Sequence, residues 1–193
     1  MERGHGGGAS IETWATVAAA VGDQLVGYLE RAPGANLPRD HAHLRGQELV
    51  IRAAHSGGWR TMPEAPIDPM SQRSRSVDVL LARDGRGECV VVEVWDWIDD
   101  VGAAMRSFDR KIATAAQSPA MPGRVNGLWV VRGTRRNRAL VTELHSLFAA
   151  KFPSSSSAWL RALSDPEGPM PREVGFVWAD VRATRLIRAR LPG

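Results

Sequence analysis

The stretch SVDVLLARDGRGECVVVEVW, residues 76–95, decides the fold. Two runs rich in valine, 76–82 and 89–95, flank a polar, glycine-containing turn, RDGRGE. β-Branched residues favour the pleated chain, and a short turn between two such runs makes a hairpin. The second run is apolar enough to be a central strand. Downstream, Asp99 or Asp100 caps a helix through VGAAMRSFDRKIATAAQ, and VNGLWVV (125–131) reads as another buried strand. A strand, a helix and a second strand in succession imply a parallel pair with a right-handed crossover.

Working outward, Asp40 opens a helix through HAHLRGQELVIRAAH, ended by Gly57 and Gly58, and a strand follows around Trp59–Glu64. On the other side Thr134 caps a helix over 135–152, a short helix covers AWLRAL, and the C-terminal segment reads as two short strands or a final hairpin. The expected fold class is α/β: an α+β mixed sheet with helices packed on it. Near the N-terminus, Ser10 caps a helix through IETWATVAAAVG, with Ile11, Trp14, Val17, Ala18 and Val21 at helical spacing. A short helix, DQLVGYLERA, follows, and PGANLPRD (33–40) is a linker. The expected organisation is 1–32, a linker 33–40, and a main domain 41–193.

Of 193 residues, 44% are hydrophobic and 24% charged, which excludes a wholly disordered chain and a collagen-like repeat. No apolar run is long enough for a membrane span, and MERGHGGGAS has no apolar signal core, so a cytoplasmic location and no membrane partner are expected. The single cysteine, Cys89, excludes an internal disulfide framework. The net charge of +4 permits contact with a polyanion. Only Lys111 and Lys151 are lysines; the other 23 basic residues are arginines.

Three acids stand where core residues belong. Asp78 shares a strand face with Ser76 and Leu80, and Glu93 shares one with Val91 and Trp95. Glu48 lies on a helical stripe with Leu44, Ile51 and His55. Burying a carboxylate costs several kcal/mol, of order 3–5, unless it is paired or binds a metal. A structural alternative pairs Asp78 and Glu93 with arginines such as Arg73 or Arg75. A functional one gathers Glu48, Asp78 and Glu93 around a hard divalent cation, Mg²⁺ or Mn²⁺. His41, His43 and His55 show no metal-ligand spacing with carboxylates, so no zinc site is expected.

A helix with Glu48, a strand, a strand with Asp78, a strand with Glu93-Val94-Trp95, a helix and a strand: over residues 41–150 this order resembles the PD-(D/E)XK nuclease superfamily, with its restriction-endonuclease-like core. The resemblance makes Glu48 the first-helix acid, Asp78 the metal-binding aspartate, and 93–95 the place of Glu-x-Lys. Trp95 stands where the family has its lysine and cannot carry that charge. Losing such a group typically removes about 10²–10⁴-fold of rate. The family lysine can migrate, which puts forward Arg106, Arg110 or Lys111 on the next helix.

The N-terminus carries a second resemblance, to the end of a lambda-repressor-like (XRE-type) helix-turn-helix. Its residues are Met1-Glu2-Arg3-Gly4, Ser10-Ile11-Glu12-Thr13-Trp14 and Ala18-Ala19-Ala20-Val21-Gly22. It implies a partial domain over 1–32 holding the last two helices, with Met1 standing where the family tends to have Ile. The start is then either an internal codon or a real truncation. The tandem with a nuclease-like domain is similar to regulators of high-GC actinobacteria.

Arg132, Arg135, Arg136 and Arg138 follow a buried strand and open a helix, which makes them the best phosphate contacts in the chain. Arg182, Arg185, Arg188 and Arg190 form a second basic cluster. Trp95, Trp129 and Trp178 read as core, and Trp97 as lining the acidic site. The expected function is a DNA-associated, transcriptional-regulator-like protein with a degenerate nuclease-fold domain. One alternative is a Mg²⁺-dependent endonuclease using Glu48, Asp78 and Glu93, and the other is a protein-interaction or effector-sensing module. DNA is the expected partner, with a homodimer possible.

Overall fold

The segment 76–95 forms the expected antiparallel pair: β2 (Ser76–Arg83) and β3 (Glu88–Trp95) face each other with Leu80 opposite Val91 and Ala82 opposite Cys89. The turn between them is one 3₁₀ turn, Asp84–Arg86, closed by Gly87 in the left-handed region at φ 58°. The computed structural model describes residues 11–20, 39–67, 75–121 and 123–191. The chain divides into two compact units, Met1–Asn36 and Leu37–Gly193.

In the first unit α1 spans Ile11–Ala20. Val17, assigned to its apolar face from the spacing, is 49% exposed. The short helix expected after Asp23 lies outside the described residues, as does 33–38 of the expected linker.

The second unit holds α2 (Arg39–Ser56), β1 (Arg60–Pro66), β2, β3, α3 (Val101–Gln117), β4 (Arg124–Arg132), α4 (Arg135–Glu143), α5 (His145–Lys151), α6 (Ser156–Ser164), β5 (Gly175–Ala179) and β6 (Leu186–Ile187). The six strands form one mixed sheet in chain order. β1–β2–β3 and β5–β6 pair antiparallel, whereas β3–β4 and β4–β5 pair parallel. The crossover read from β3 through a helix to β4 is present, and Asp100 is the cap, its Oδ1 accepting from the Ala103 amide at 2.8 Å. The single helix expected over 135–152 is two, α4 and α5. They divide at Leu144, although the Leu144 and Phe148 amides still bond the carbonyls four residues back.

Helices cover both faces of the sheet. On one, α3, α4 and α5 bury Phe108, Val141 and Phe148 against Leu80, Val91 and Trp129. Trp129 is fully buried there, with the Phe152, Trp95, Phe108 and Phe148 rings 5.1–6.3 Å from it. On the other, α2 and α6 bury Val50, Ala54, Trp159 and Leu163 against Val79, Val90, Val92 and Val130. Burying aromatic and aliphatic surface on both faces is the main stabilising term of such a sandwich.

The packed face of α2 differs from the expected stripe. Gly46, Gln47, Leu49, Val50 and Ala54 are buried, whereas Leu44 is 53% exposed and Glu48 and His55 face solvent. The reason is close approach at Gly46, where an added Cβ would lie 2.5 Å from Cγ1 of Val94. That contact turns the helix about one residue, roughly 100°, from the 44–48–51–55 stripe. No helix among the described residues is long and apolar enough to cross a membrane.

Candidate functional site

Strand register builds the site. Continuing the β1–β2 and β2–β3 pairings by one residue sets Glu64, Asp78 and Glu93 side by side, with Trp129 next in the row on β4. The ladders break at this row, so the acids neighbour one another on three strands but turn to different helices: Glu93 to Lys111 of α3, and Asp78 and Glu64 to His43 and Gln47 of α2. The ladder opens there: the Val94 amide donates to Asp78 Oδ2 at 2.6 Å.

Glu93 is 5% exposed. Its two oxygens each accept from Lys111 Nζ of α3 at 2.7 Å. Burial, with the nearby Asp78 charge, pushes its carboxyl up to about 7, against the opposing pull of Lys111. Glu93 therefore neither pairs with an arginine nor sits in apolar core; its partner is one of the two lysines of the chain. Of the three migrated-lysine candidates, the structure brings Lys111 to the acids, while Arg106 and Arg110 are exposed on α3. Arg73 lies outside the described residues.

α2 closes the other side with His43 and Gln47, one turn apart. His43 Nε2 is 3.5 Å from Asp78 Oδ1. That hydrogen bond raises the imidazole above its ordinary value, and partial burial opposes it. Gln47 is 3% exposed, and its amide nitrogen lies 3.1 Å from His43 Nε2 and donates to Glu64 Oε1. Glu64 has φ 48°, a left-handed backbone uncommon for a residue with a Cβ. One ligand atom from each of His43, Glu64 and Asp78 lies within 4.8 Å of the others.

Glu48 does not join this group. It is 64% exposed and pairs with Arg52 at 3.6 Å along α2. The position facing the acids is its neighbour Gln47. Sequence reading missed His43, Gln47 and Glu64. The signal for His43 and Gln47 is their four-residue spacing, which marks the face of α2 toward Asp78. Glu64 is recoverable once the β1 register is known.

The basic segment after β4 lies at the carboxyl ends of β3 and β4, the end of the sheet that carries Glu93 and Trp95. Arg132 bonds Asp96 Oδ1 at 2.6 Å and the Val181 carbonyl at 2.7 Å. Arg136 bonds Asp99 at 3.0 Å and lies 4.7 Å over the exposed Trp97 ring. Arg138 bonds the Gly133 carbonyl and lies 4.9 Å over Trp178. Arg135 is exposed beside them, as are Arg182, Arg185, Arg188 and Arg190 near the C-terminus. Trp129 and Trp178 are core, as expected. Trp95 is partly buried against Trp129 at 5.3 Å between ring centres.

Chemically, the group offers two carboxylates for a hard cation, an ammonium beside one of them, and an imidazole with a third carboxylate on the flank. No protein-family model, no curated protein and no solved structure matches this chain.

Proposed function

We propose that this protein acts on DNA in the cytoplasm and that its α/β domain is a divalent-cation-dependent phosphodiesterase, an endonuclease of PD-(D/E)XK type. The observation that carries the reading is Lys111 Nζ at 2.7 Å from both Glu93 oxygens, across the strand fork from Asp78. An ammonium from α3 thus stands beside the glutamate, the charge that Trp95 lacks.

The donor set fits the cation: Asp78 and Glu93 offer oxygen donors, which suit Mg²⁺ or Mn²⁺. These two residues would hold it. When bound, it supplies Lewis-acid stabilisation of a phosphate oxygen and a more acidic water. The chain's own residues do the rest. Asp78 stays fixed by the Val94 amide, and Lys111 offers positive charge to the pentavalent phosphate as water adds and the bond to the leaving sugar oxygen breaks. Arg135 and the surrounding basic edge screen the DNA backbone.

A second reading has a specific observation behind it. Lys111 occupies both oxygens of Glu93, which satisfies the carboxylate as a closed ion pair, and Trp95 fills the motif-lysine position by packing on Trp129. In that reading the domain is a degenerate nuclease fold in an XRE-like DNA-binding regulator. Nicking of supercoiled plasmid with Mg²⁺ or Mn²⁺ separates the two. Wild-type nicking is expected, with loss in Asp78→Ala, Glu93→Ala and Lys111→Met. A folded wild type that binds DNA but leaves it intact under saturating cation establishes the regulatory reading instead.

A further inference from the structure

We propose that His43, Glu64 and Asp78 form a site for a divalent transition-metal ion of the Mn²⁺ class, held in preference to Mg²⁺. The inference deepens the hydrolytic reading, since Asp78 is common to both, and it rests on that reading only for its consequence in catalysis. Three arguments lead to it.

The first is reach. The three ligand atoms lie within 4.8 Å of one another. Metal–ligand bonds of about 2.0–2.4 Å let one ion touch atoms separated by up to twice that length. The second is a conflict at one atom. His43 Nε2 needs a proton to bond Asp78 at 3.5 Å, yet it needs its lone pair to accept from the Gln47 amide at 3.1 Å. One nitrogen cannot do both. A cation on the lone pair would replace both contacts at Nε2: Asp78 and His43 would share the ion, and the Gln47 amide would keep its bond to Glu64. The third is the support behind the ligands. Gln47 is buried and donates to Glu64 Oε1, so an amide of α2 fixes the direction of a carboxylate on β1. Such outer partners fix ligand direction in metal sites.

Ion choice follows from donor chemistry. An imidazole with two carboxylates suits a transition ion, whereas Mg²⁺ favours all-oxygen surroundings and keeps its waters. Glu93 stays outside this ligand set, bound to Lys111.

The test is binding, read without cleavage. Free Mn²⁺ is followed by its electron paramagnetic resonance as the whole chain is added, with Mg²⁺ as competitor. Wild type is expected to take up one equivalent that a tenfold excess of Mg²⁺ does not displace. His43→Gln and Glu64→Gln are each expected to weaken Mn²⁺ binding by about tenfold or more. His43 is one-third exposed and Glu64 is exposed, and thermal melting of both variants checks that the fold survives. Displacement by that tenfold excess of Mg²⁺, or unchanged Mn²⁺ affinity in both folded variants, overturns the proposal. If both variants lose Mn²⁺ but wild type nicks no DNA, the site stands and the hydrolytic reading falls. If Asp78→Ala abolishes nicking while the His43 and Glu64 variants bind Mn²⁺ normally, the hydrolytic reading stands and this site falls.

Discussion

Glu93 experiences two opposed forces. Burial and the Asp78 charge disfavour its ionised form, and the Lys111 ammonium favours it. The net effect is a carboxyl that titrates at about 7 rather than at the ordinary 4.5. A carboxyl raised on folding holds its proton more tightly in the native state, so the unfolded chain releases that proton first. This contribution to stability is complete below pH 4.5 and is lost as pH rises through about 7. In metal-free buffer, the stability of wild type relative to Glu93→Gln is expected to fall across that window and then level. Urea midpoints at a series of pH values measure it, and a flat difference contradicts the assignment. Lys111→Met removes the opposing charge, so the Glu93 carboxyl is expected to move further up. Carbon NMR of the side chain reads that shift directly, and a downward shift refutes it.

At the scale of elements, the site depends on how α3 lies on the sheet. Gly127 of β4 has no side chain, and a Cβ there would fall 2.4 Å from Phe108 Cζ and from Ile112 Cδ1. The bare strand lets α3 settle close, and Lys111 sits beside Ile112 on that helix. Gly127→Ala is therefore expected to cost about 1–3 kcal/mol by overpacking. Because the strain falls on the helix that carries Lys111, nicking should weaken in the same variant. Guanidinium midpoints give the first effect and the plasmid assay the second; an unchanged midpoint sinks the packing argument.

Elements also show what was legible in the chain. β2, β3 and β4 were readable because each is a run of β-branched residues bounded by turn residues, and α3 because Asp100 caps an amphipathic stretch. The pair Asp78 and Glu93 was readable because a charge inside a valine run has no ordinary explanation. α2 was misread because its apolar residues fit two adjacent stripes, and a tertiary contact, Gly46 against Val94, chooses between them. Glu64 was hidden for the same kind of reason. Its partner lies across a strand register, which local patterning does not contain.

At the scale of the whole molecule, one side chain joins segments far apart in sequence. Arg83 ends β2 at 6% exposure. Its guanidinium donates to the carbonyls of Gly57, Ala162, Asp165 and Gly168 at 2.7–3.0 Å, and it also lies 3.5 Å from Glu88. The face of the group stacks 4.1 Å from the Trp59 ring. One charge thus ties the end of α2, the end of α6 and the loop beyond it to the sheet. A planar five-donor fork suits this work, and an ammonium on a flexible stem does not. Arg83→Met leaves the Gly57 and Gly168 carbonyls without their donor, while Ala162 keeps the Trp59 indole and Asp165 the Gly168 amide; among the described residues Glu88 keeps Arg124 at 3.4 Å as its charged partner. Removing one side of such a buried network costs about 3–5 kcal/mol, a large share of a domain's net stability. Arg60, by contrast, bonds Asp84 at 2.9 Å on an open surface, where an ion pair contributes little. The expected result is a steep fall in thermal midpoint for Arg83→Met and none for Arg60→Met. Equal effects from the two would mean that the guanidinium at β2 fills space without holding the segments together.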